Sequence, residues 1–288
     1  MPITESQRIN RRKNLGSSDM AAIMGCDKWR SAGDVFLEKT GRIVSDIHSE
    51  AATLGTALED GVLDAAVAHT GPVVRNVARR VKDSRILAHI DAIQTETGMP
   101  IEIKTCGLTN FVAGKEWGET DIASQTDNVP ARVIIQASCH IAATGADACK
   151  VIALIAGRGL SYYTVGRSER LLSSILEAAD RFWHENVAKE IMPNDPPSLH
   201  NMMRIERSEE AVDLDPTMME EYASAKETCK QGENLVKDVK QRIVAALGDA
   251  KIGDFGDGRS VEIKTIQRRE YTVKSGEYQK VQFRKTSR

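Results

Sequence analysis

Several features are missing from this sequence, and each absence narrows the reading. No run of about 18 apolar residues occurs, so no segment is built to cross a membrane. The opening residues, MPITESQRINRRKN, are basic but lack the apolar stretch of a secretory signal. The five cysteines (Cys26, Cys106, Cys139, Cys149 and Cys229) are scattered, odd in number and never spaced as CxxC. That argues for reduced thiols in a cytoplasmic protein and against zinc or iron–sulfur sites. Net charge is also slight, at −2, so the chain is no general basic coat for nucleic acid.

The charge present is uneven. Residues 264–288 hold eight Lys/Arg against two Glu, net +6, which leaves −8 for the remainder. Any DNA contact has to come from local basic patches. The tail also interleaves Tyr271, Tyr278 and Phe283 with its basic side chains, a pattern suited to backbone contact and base stacking and equally to a charged β-hairpin.

The stretch around which the chain is organised is Leu87–Thr105, LAHIDAIQTETGMPIEIKT. It reads as two strands joined by the turn Glu96-Thr97-Gly98-Met99-Pro100. The first puts Ile86, Ala88, Ile90 and Ala92 on one side and Asp91 on the other. The second alternates strictly, with Ile101 and Ile103 on one face and Glu102 and Lys104 on the other. A tight hairpin brings Asp91 close to Glu102, with Lys104 one pleat along. Two adjacent carboxylates repel unless a cation lies between them, and hard oxygen ligands select Mg²⁺ or Mn²⁺. Alternating Glu and Lys also occurs on ordinary solvated strands, so this stretch needs support from the rest of the chain.

Ser18 or Asp19 reads as a helix N-cap before Met20–Met24, or as part of an anion site with nearby arginines. A short helix is expected over Ser31–Gly41 and a longer one over Glu50–Thr70, with Leu54, Ala57, Leu58, Val62, Ala65 and Ala66 as its buried stripe. Glu59 beside that stripe is either a solvated glutamate or a metal or water ligand facing the hairpin. Gly55 and Gly61 allow close backbone approach. Strands are expected over Val73–Val81 and Arg85–Gln94, a short helix around Phe111–Trp117, and a helix over Ala131–Thr144 opened by Pro130. Val133, Ile134, Ala137, Ile141 and Cys139 make the buried side of that helix, and Gln136 and His140 share one edge. Two strands, Cys149–Ala156 and Leu160–Val165, precede a helix over Ser168–Ile191. The Pro-rich stretch Met192–Pro197 is the expected boundary between a core, 1–197, and an appendage, 198–288. The appendage reads as a long helix over 217–247 with a narrow 4-3 apolar seam, then β-strands at Val261–Gln267 and Tyr278–Arg284. Val261-Glu262-Ile263-Lys264 copies the alternation of Ile101–Lys104. Its partners Asp254 and Asp257 fall in a glycine-rich turn, however, and no Gln-bearing helix follows.

An acid followed some ten residues later by Glu-x-Lys resembles the PD-(D/E)XK nuclease superfamily. In order, RRKNLGSSDMAAIMG, LGTALEDGV, HIDAI, IEIKT, IIQASCHIAATGADACKVIALI and EAADRFWHENV resemble its lambda-exonuclease-like branch, the YqaJ-type viral recombinases. The likeness spans roughly residues 8–190. The chain departs from relatives in having His89-Ile90-Asp91-Ala92 where Ser-Pro-Asp-Gly is frequent, and His140 where a Tyr is common.

The resemblance implies an α/β fold with a mixed central sheet flanked by helices. It implies a Mg²⁺-dependent 5′-to-3′ exonuclease on duplex DNA ends, with two ions per site and Mn²⁺ as a substitute. The product would be 3′ single strands for annealing-type phage recombination. It makes Asp91, Glu102 and the Ile103 carbonyl metal ligands, Lys104 the water-activating amine, Glu59 a second-metal or water ligand, and Gln136 a bracing group. Arg11, Arg12 and Ser18 fall on the 5′-phosphate contacts. The expected partners are DNA ends, two further copies in a trimer and a single-strand annealing protein, in the cytoplasm of a bacterial host. The alternatives are another PD-(D/E)XK endonuclease or repair nuclease, and a non-catalytic DNA-binding or interaction protein on the same fold.

Overall fold

The structure is a computed structural model, and it describes residues 5–43, 50–107, 117, 129–155, 159–207 and 211–265. The alternating stretch does form a strand, β4 (Pro100–Cys106), at the middle of a six-stranded mixed sheet. The other strands are β1 (Leu15–Gly16), β2 (Val73–Arg80), β3 (Ile86–Gln94), β5 (Ala148–Ile155) and β6 (Gly159–Gly166). β4 lies between β3, antiparallel, and β5, parallel. β6 closes one side antiparallel to β5. β3 also pairs with β2, antiparallel, and with β1, parallel. The fold is mixed α/β, a central sheet with helices on its faces.

Two helices cover opposite faces. Val133, Ala137 and Ile141 of α5 (Ala131–Thr144) pack with Val151, Ala153 and Ile155 of β5. Val62, Leu63 and Ala66 of α4 (Glu50–Thr70) pack with Ile101, Ile103 and Ile152. Neighbouring residues of one strand point to opposite faces, so Ile101 and Ile103 lie under α4 and Glu102 points toward α5. Gly55 of α4 approaches Thr105 closely, as expected, whereas nothing lies within 4 Å of a side chain built at Gly61. The stripe expected on α4 holds only in its second half. Leu54 and Leu58 are 53% and 43% exposed, and Ala57 and Ala65 are exposed too. On α5, Ile135 is buried rather than Ile134, since a second layer covers the outer side of that helix.

That outer layer contains α1 (Glu5–Lys13), α2 (Asp19–Ile23), α3 (Ala32–Lys39) and α6 (Glu169–Arg181). Met20, Phe36, Leu37, Ile175 and Phe182 bury against Ile135 and Cys139. A buried charge cluster ties α2 to α3. Asp19 meets Lys39 Nζ at 2.6 Å and the Arg30 guanidinium at 3.0 Å, and it accepts the Gly16 amide at 2.8 Å. Burial opposes its charge, but the two cations win and hold its carboxyl far below the usual range. α3 opens with a capping box between Ser31 and Asp34. Asp34 also accepts the Ser198 amide, the Ser198 hydroxyl and the Asn201 side chain, at 2.9, 3.0 and 2.9 Å. Gly33 is pressed against the backbone of Pro196 and Pro197, with no room for a side chain.

These contacts move the expected boundary. Residues 198–206, including α7 (Leu199–Met202), belong with the core, and the contact division falls between Glu206 and Arg207. The helix expected over 168–191 is α-helical only to Arg181, continues as a π-helix over Phe182–Val187, and stops before Glu190 at φ 54°. The second unit holds α8 (Thr217–Leu247) and the antiparallel pair β7 (Ile252–Asp254) and β8 (Ser260–Glu262). The apolar seam of α8 is exposed along its length. Glu262, in the repeated motif, is paired with Lys251 and Lys264. Asp257 is bonded to Arg259, and Asp254 to the Gly256 amide. The expected strand at Tyr278–Arg284, the basic tail beyond 265 and the segment 108–116 lie outside the described residues. No helix among the described residues is long and apolar enough to cross a membrane.

Removing one partner of a buried ion pair leaves the others uncompensated. Asp19→Ala is therefore expected to cost about 3–5 kcal/mol of stability in urea unfolding. The carboxyl is depressed, so its contribution is complete above its unfolded value and is lost as pH falls through the folded one. A variant as stable as wild type at neutral pH would show that the cluster holds nothing together.

Candidate active site

The β3–β4 pair brings the expected acids together, though not by simple pairing. The ladder runs through Ile93↔Pro100 and Ala92↔Ile101, and its next step sets Asp91 opposite Glu102. There the carboxylate of Asp91 intervenes and accepts the Ile103 amide at 2.7 Å. On the other edge, pairing skips Asn76 and Asp91, and Asn76 takes φ 54°. Strain of this kind is stored where surroundings fix it, often at sites. The apolar side of β3 also switches here. Ala88 and Ile90 pack with Ala143 of α5, but Ala92 packs with the cluster under α4. The single face expected for Ile86, Ala88, Ile90 and Ala92 is thus broken at Asp91.

Glu102 is 1% exposed, and one carboxylate oxygen is bonded to Lys104 Nζ. The other, Oε2, lies 3.2 Å from Nδ1 of His140 on α5, but the two are not aligned as a hydrogen bond. Both atoms are buried without a hydrogen-bond partner. His140 is itself 0% exposed, and its Nε2 is 3.1 Å from the Ser17 hydroxyl. Burial first, then the nearby charge of Lys104, pushes this imidazole down to about 3, so it is neutral.

The carboxylates raise one another. Burial and then the charge of Glu102 push Asp91 up to about 7, against the pull of Lys104 and the Ile103 amide. Glu59, half-buried on α4, is pushed up to about 6 by burial and then by Asp91. Glu102 is raised by burial and, to a smaller degree, by Glu59, with Lys104 opposing. Lys104 loses to burial but gains more from Glu102, Asp91 and Glu59, so it keeps its proton. Gln136 is half-buried one turn before His140 on α5.

Of the basic and hydroxyl groups expected nearby, Arg11 is exposed at the end of α1; burial first, and then the Arg11 charge, lowers the proton affinity of His89, two residues from Asp91. Arg12 is exposed and packs against Gly41. Ser18 is exposed and makes no side-chain cap to α2. The neighbouring Ser17 is the hydroxyl that turns inward to His140, and adjacent serines give no sequence signal for which does so. Asp19 pairs with Lys39 and Arg30, not with Arg11 or Arg12.

The donor set fits a hard divalent cation. It holds oxygen ligands that repel one another and a buried carboxylate oxygen without a hydrogen bond. Among the described residues no three His, Cys, Asp or Glu side chains form a complete cage.

This geometry and the fold resemble the PD-(D/E)XK nuclease core. An alkaline exonuclease (LHK-Exo) from Laribacter hongkongensis has the same fold, with a TM-score of 0.52 at 19% identity, over 65% of this chain and 94% of that one. The same enzyme in complex with dAMP gives 0.52 at 20% identity, with the same coverage. Residues 9–147 match the YqaJ-like viral recombinase domain. The uncharacterized protein YqaJ of Bacillus subtilis (strain 168) is 27% identical over 268 residues, which is 86% of this chain and 80% of that protein.

The raised carboxylates have a measurable consequence. Asp91 and Glu59 hold protons in the folded chain at pH values where the unfolded chain has lost them, so the site loses stability as pH rises from about 4 to 7. A cation bound between the carboxylates would offset this loss. Mg²⁺ is expected to raise the Tm more at about pH 8 than at about pH 5, with Asp91→Asn removing most of the difference in thermal unfolding. An equal shift at both pH values, or one that Asp91→Asn leaves intact, would place the cation elsewhere.

Proposed function

We propose that this chain is a metal-dependent DNA exonuclease. On this reading it enters at duplex ends, digests one strand 5′ to 3′, and leaves 3′ single strands for annealing-type recombination. The observation that carries the reading is the convergence of Asp91, Glu102 and Lys104 at the centre of the sheet, with one buried Glu102 oxygen left without a hydrogen bond. The recombinase domain match and a fold shared with an alkaline exonuclease support it. A trimer around the duplex and delivery of the product to an annealing protein belong to the same proposal.

Asp91, Glu102 and the Ile103 carbonyl are the groups that would hold Mg²⁺ or Mn²⁺, with Glu59 for a second ion or a water. When bound, such ions stabilise charge on phosphoryl oxygens and make water more acidic. The chain's own residues do the rest. Lys104, partly exposed and fixed by Glu102, presents a charged donor that orients an attacking water. His140 stays neutral behind Glu102 and limits how far that carboxylate can swing. Gln136 faces the same edge of α5 and braces the site. Arg11 and Ser18 are exposed and available to a terminal phosphate. The negative charge of Asp19 beside them is already neutralised by Lys39 and Arg30.

Duplexes labelled at either end and digested over time, with and without Mg²⁺, test the reaction. Asp91→Ala, Glu102→Ala and Lys104→Ala should each slow cleavage by about 10²–10⁴-fold with the fold retained. Glu262→Ala, in the repeated motif, should cleave as wild type does. Loss of activity in Glu262→Ala with activity kept in Glu102→Ala would move the site to the other motif.

A terminal phosphate carries more charge than an internal diester, so a cationic pocket can tell them apart. Wild type is expected to digest 5′-phosphorylated duplex roughly tenfold faster than 5′-hydroxyl duplex, the worth of one charge-assisted contact. Arg11→Ala and Ser18→Ala should narrow that gap while leaving the Mg²⁺ requirement in place. Equal wild-type rates on the two substrates would remove the pocket.

A further inference from the structure

Trp29 stands apart from the other two tryptophans. Trp117 is buried against Tyr163, with ring centroids 5.2 Å apart, and Trp183 is partly buried beneath Arg85. Trp29 is 56% exposed, in the loop between α2 and α3. Burial does not explain a large aromatic held in water.

The loop is nonetheless fixed on both sides of the ring. The Trp29 amide donates to Asp27 Oδ1 at 2.8 Å. The next residue, Arg30, is locked to Asp19 and to Glu38 at 3.0 Å each. Two cations lie over the ring, Lys28 Nζ at 4.3 Å and the Arg132 guanidinium at 4.5 Å from its centroid. They come from different elements, the loop itself and the first turn of α5. The indole therefore has cationic side chains from two different elements stacked over it.

Arg132 links this cluster to the carboxylates. Arg132, Gln136 and His140 follow at i, i+4 and i+8, along one edge of α5. His140 is the residue beside Glu102. Eight residues of helix rise about 12 Å, which matches roughly three to four phosphates along one strand of B-form DNA.

We propose that Lys28, Trp29 and Arg132 form a second nucleic-acid contact, a stacking and phosphate platform that grips the substrate strand a few nucleotides from the carboxylate centre. It rests on the nuclease reading and adds to it where the strand runs. Two cations fixed around an exposed indole suit a polyanion with aromatic bases.

The test is binding of a fluorescein-labelled duplex and of its single strand to the full chain, in EDTA so that no cleavage occurs. Trp29→Ala should weaken binding roughly tenfold, within the range for loss of one stacked base, and Trp29→Phe should recover most of it. Lys28→Ala and Arg132→Ala should each lower the salt slope of log Kd by about one. The Mg²⁺-dependent rise in Tm should persist in Trp29→Ala, showing that the carboxylate centre is intact. Wild-type affinity in Trp29→Ala, with that Tm response present, would overturn the platform and leave the nuclease reading standing. Absence of DNA binding by wild type would overturn both.

Discussion

A carboxylate with almost no water around it governs this structure. Glu102 sits on the middle strand of the sheet, under α5, where an uncompensated charge costs several kcal/mol. Lys104 from its own strand compensates one oxygen and leaves the other facing a neutral imidazole. To bring that imidazole there, α5 has to cross the sheet with its apolar stripe on β5 and its polar edge over β4. Helix α5 is backed in turn by the outer helices, which are tied by the charges around Asp19. The order of dependence runs inward, from a saturated ion cluster at the periphery to an unsaturated one at the centre. The first is built to stay as it is. The second keeps a buried carboxylate oxygen without a hydrogen-bond partner.

Much of this was legible in the chain. The alternation Ile101-Glu102-Ile103-Lys104 specifies a strand with its charges on one face, and the turn before it specifies an antiparallel return. Pro130 and Gly145 bracket α5, and the bounds of α4 and α8 follow from their periodicity and flanking breakers. In the repeated Glu262 motif only Asp257 lies in the turn, bonded to Arg259; Asp254 ends β7, the strand paired with β8, and accepts the Gly256 amide there.

What was not legible depends on side chains choosing partners across the fold. Nothing local tells that Asp91 takes the Ile103 amide and so interrupts the ladder that the hairpin pattern specifies. Ser17 and Ser18 are alike in sequence, and only the position of His140, more than a hundred residues away, separates them. Periodicity marked the first half of α4 as buried, but it cannot tell whether another element covers that stripe, and Leu54 and Leu58 are exposed. The Met192–Pro197 stretch has linker composition, yet Asp34 collects the hydrogen bonds of the segment after it. Proline marks a change of direction, and whether that change is also a boundary depends on contacts made elsewhere.

Gly33 carries a consequence of a different kind. It lies where the chain returns from Pro196 and Pro197 to rest on the start of α3, and even a methyl group there would collide with main-chain atoms. No rotamer change relieves a clash between backbone and Cβ. In a library of variants selected for activity, position 33 would therefore tolerate almost nothing, as sharply as Asp91 or Glu102. A map of tolerance alone would group the three together. Only a parallel measure of abundance would separate them, because substitutions at Gly33 would deplete the protein, while on the proposed function those at the carboxylates would leave it present and inert.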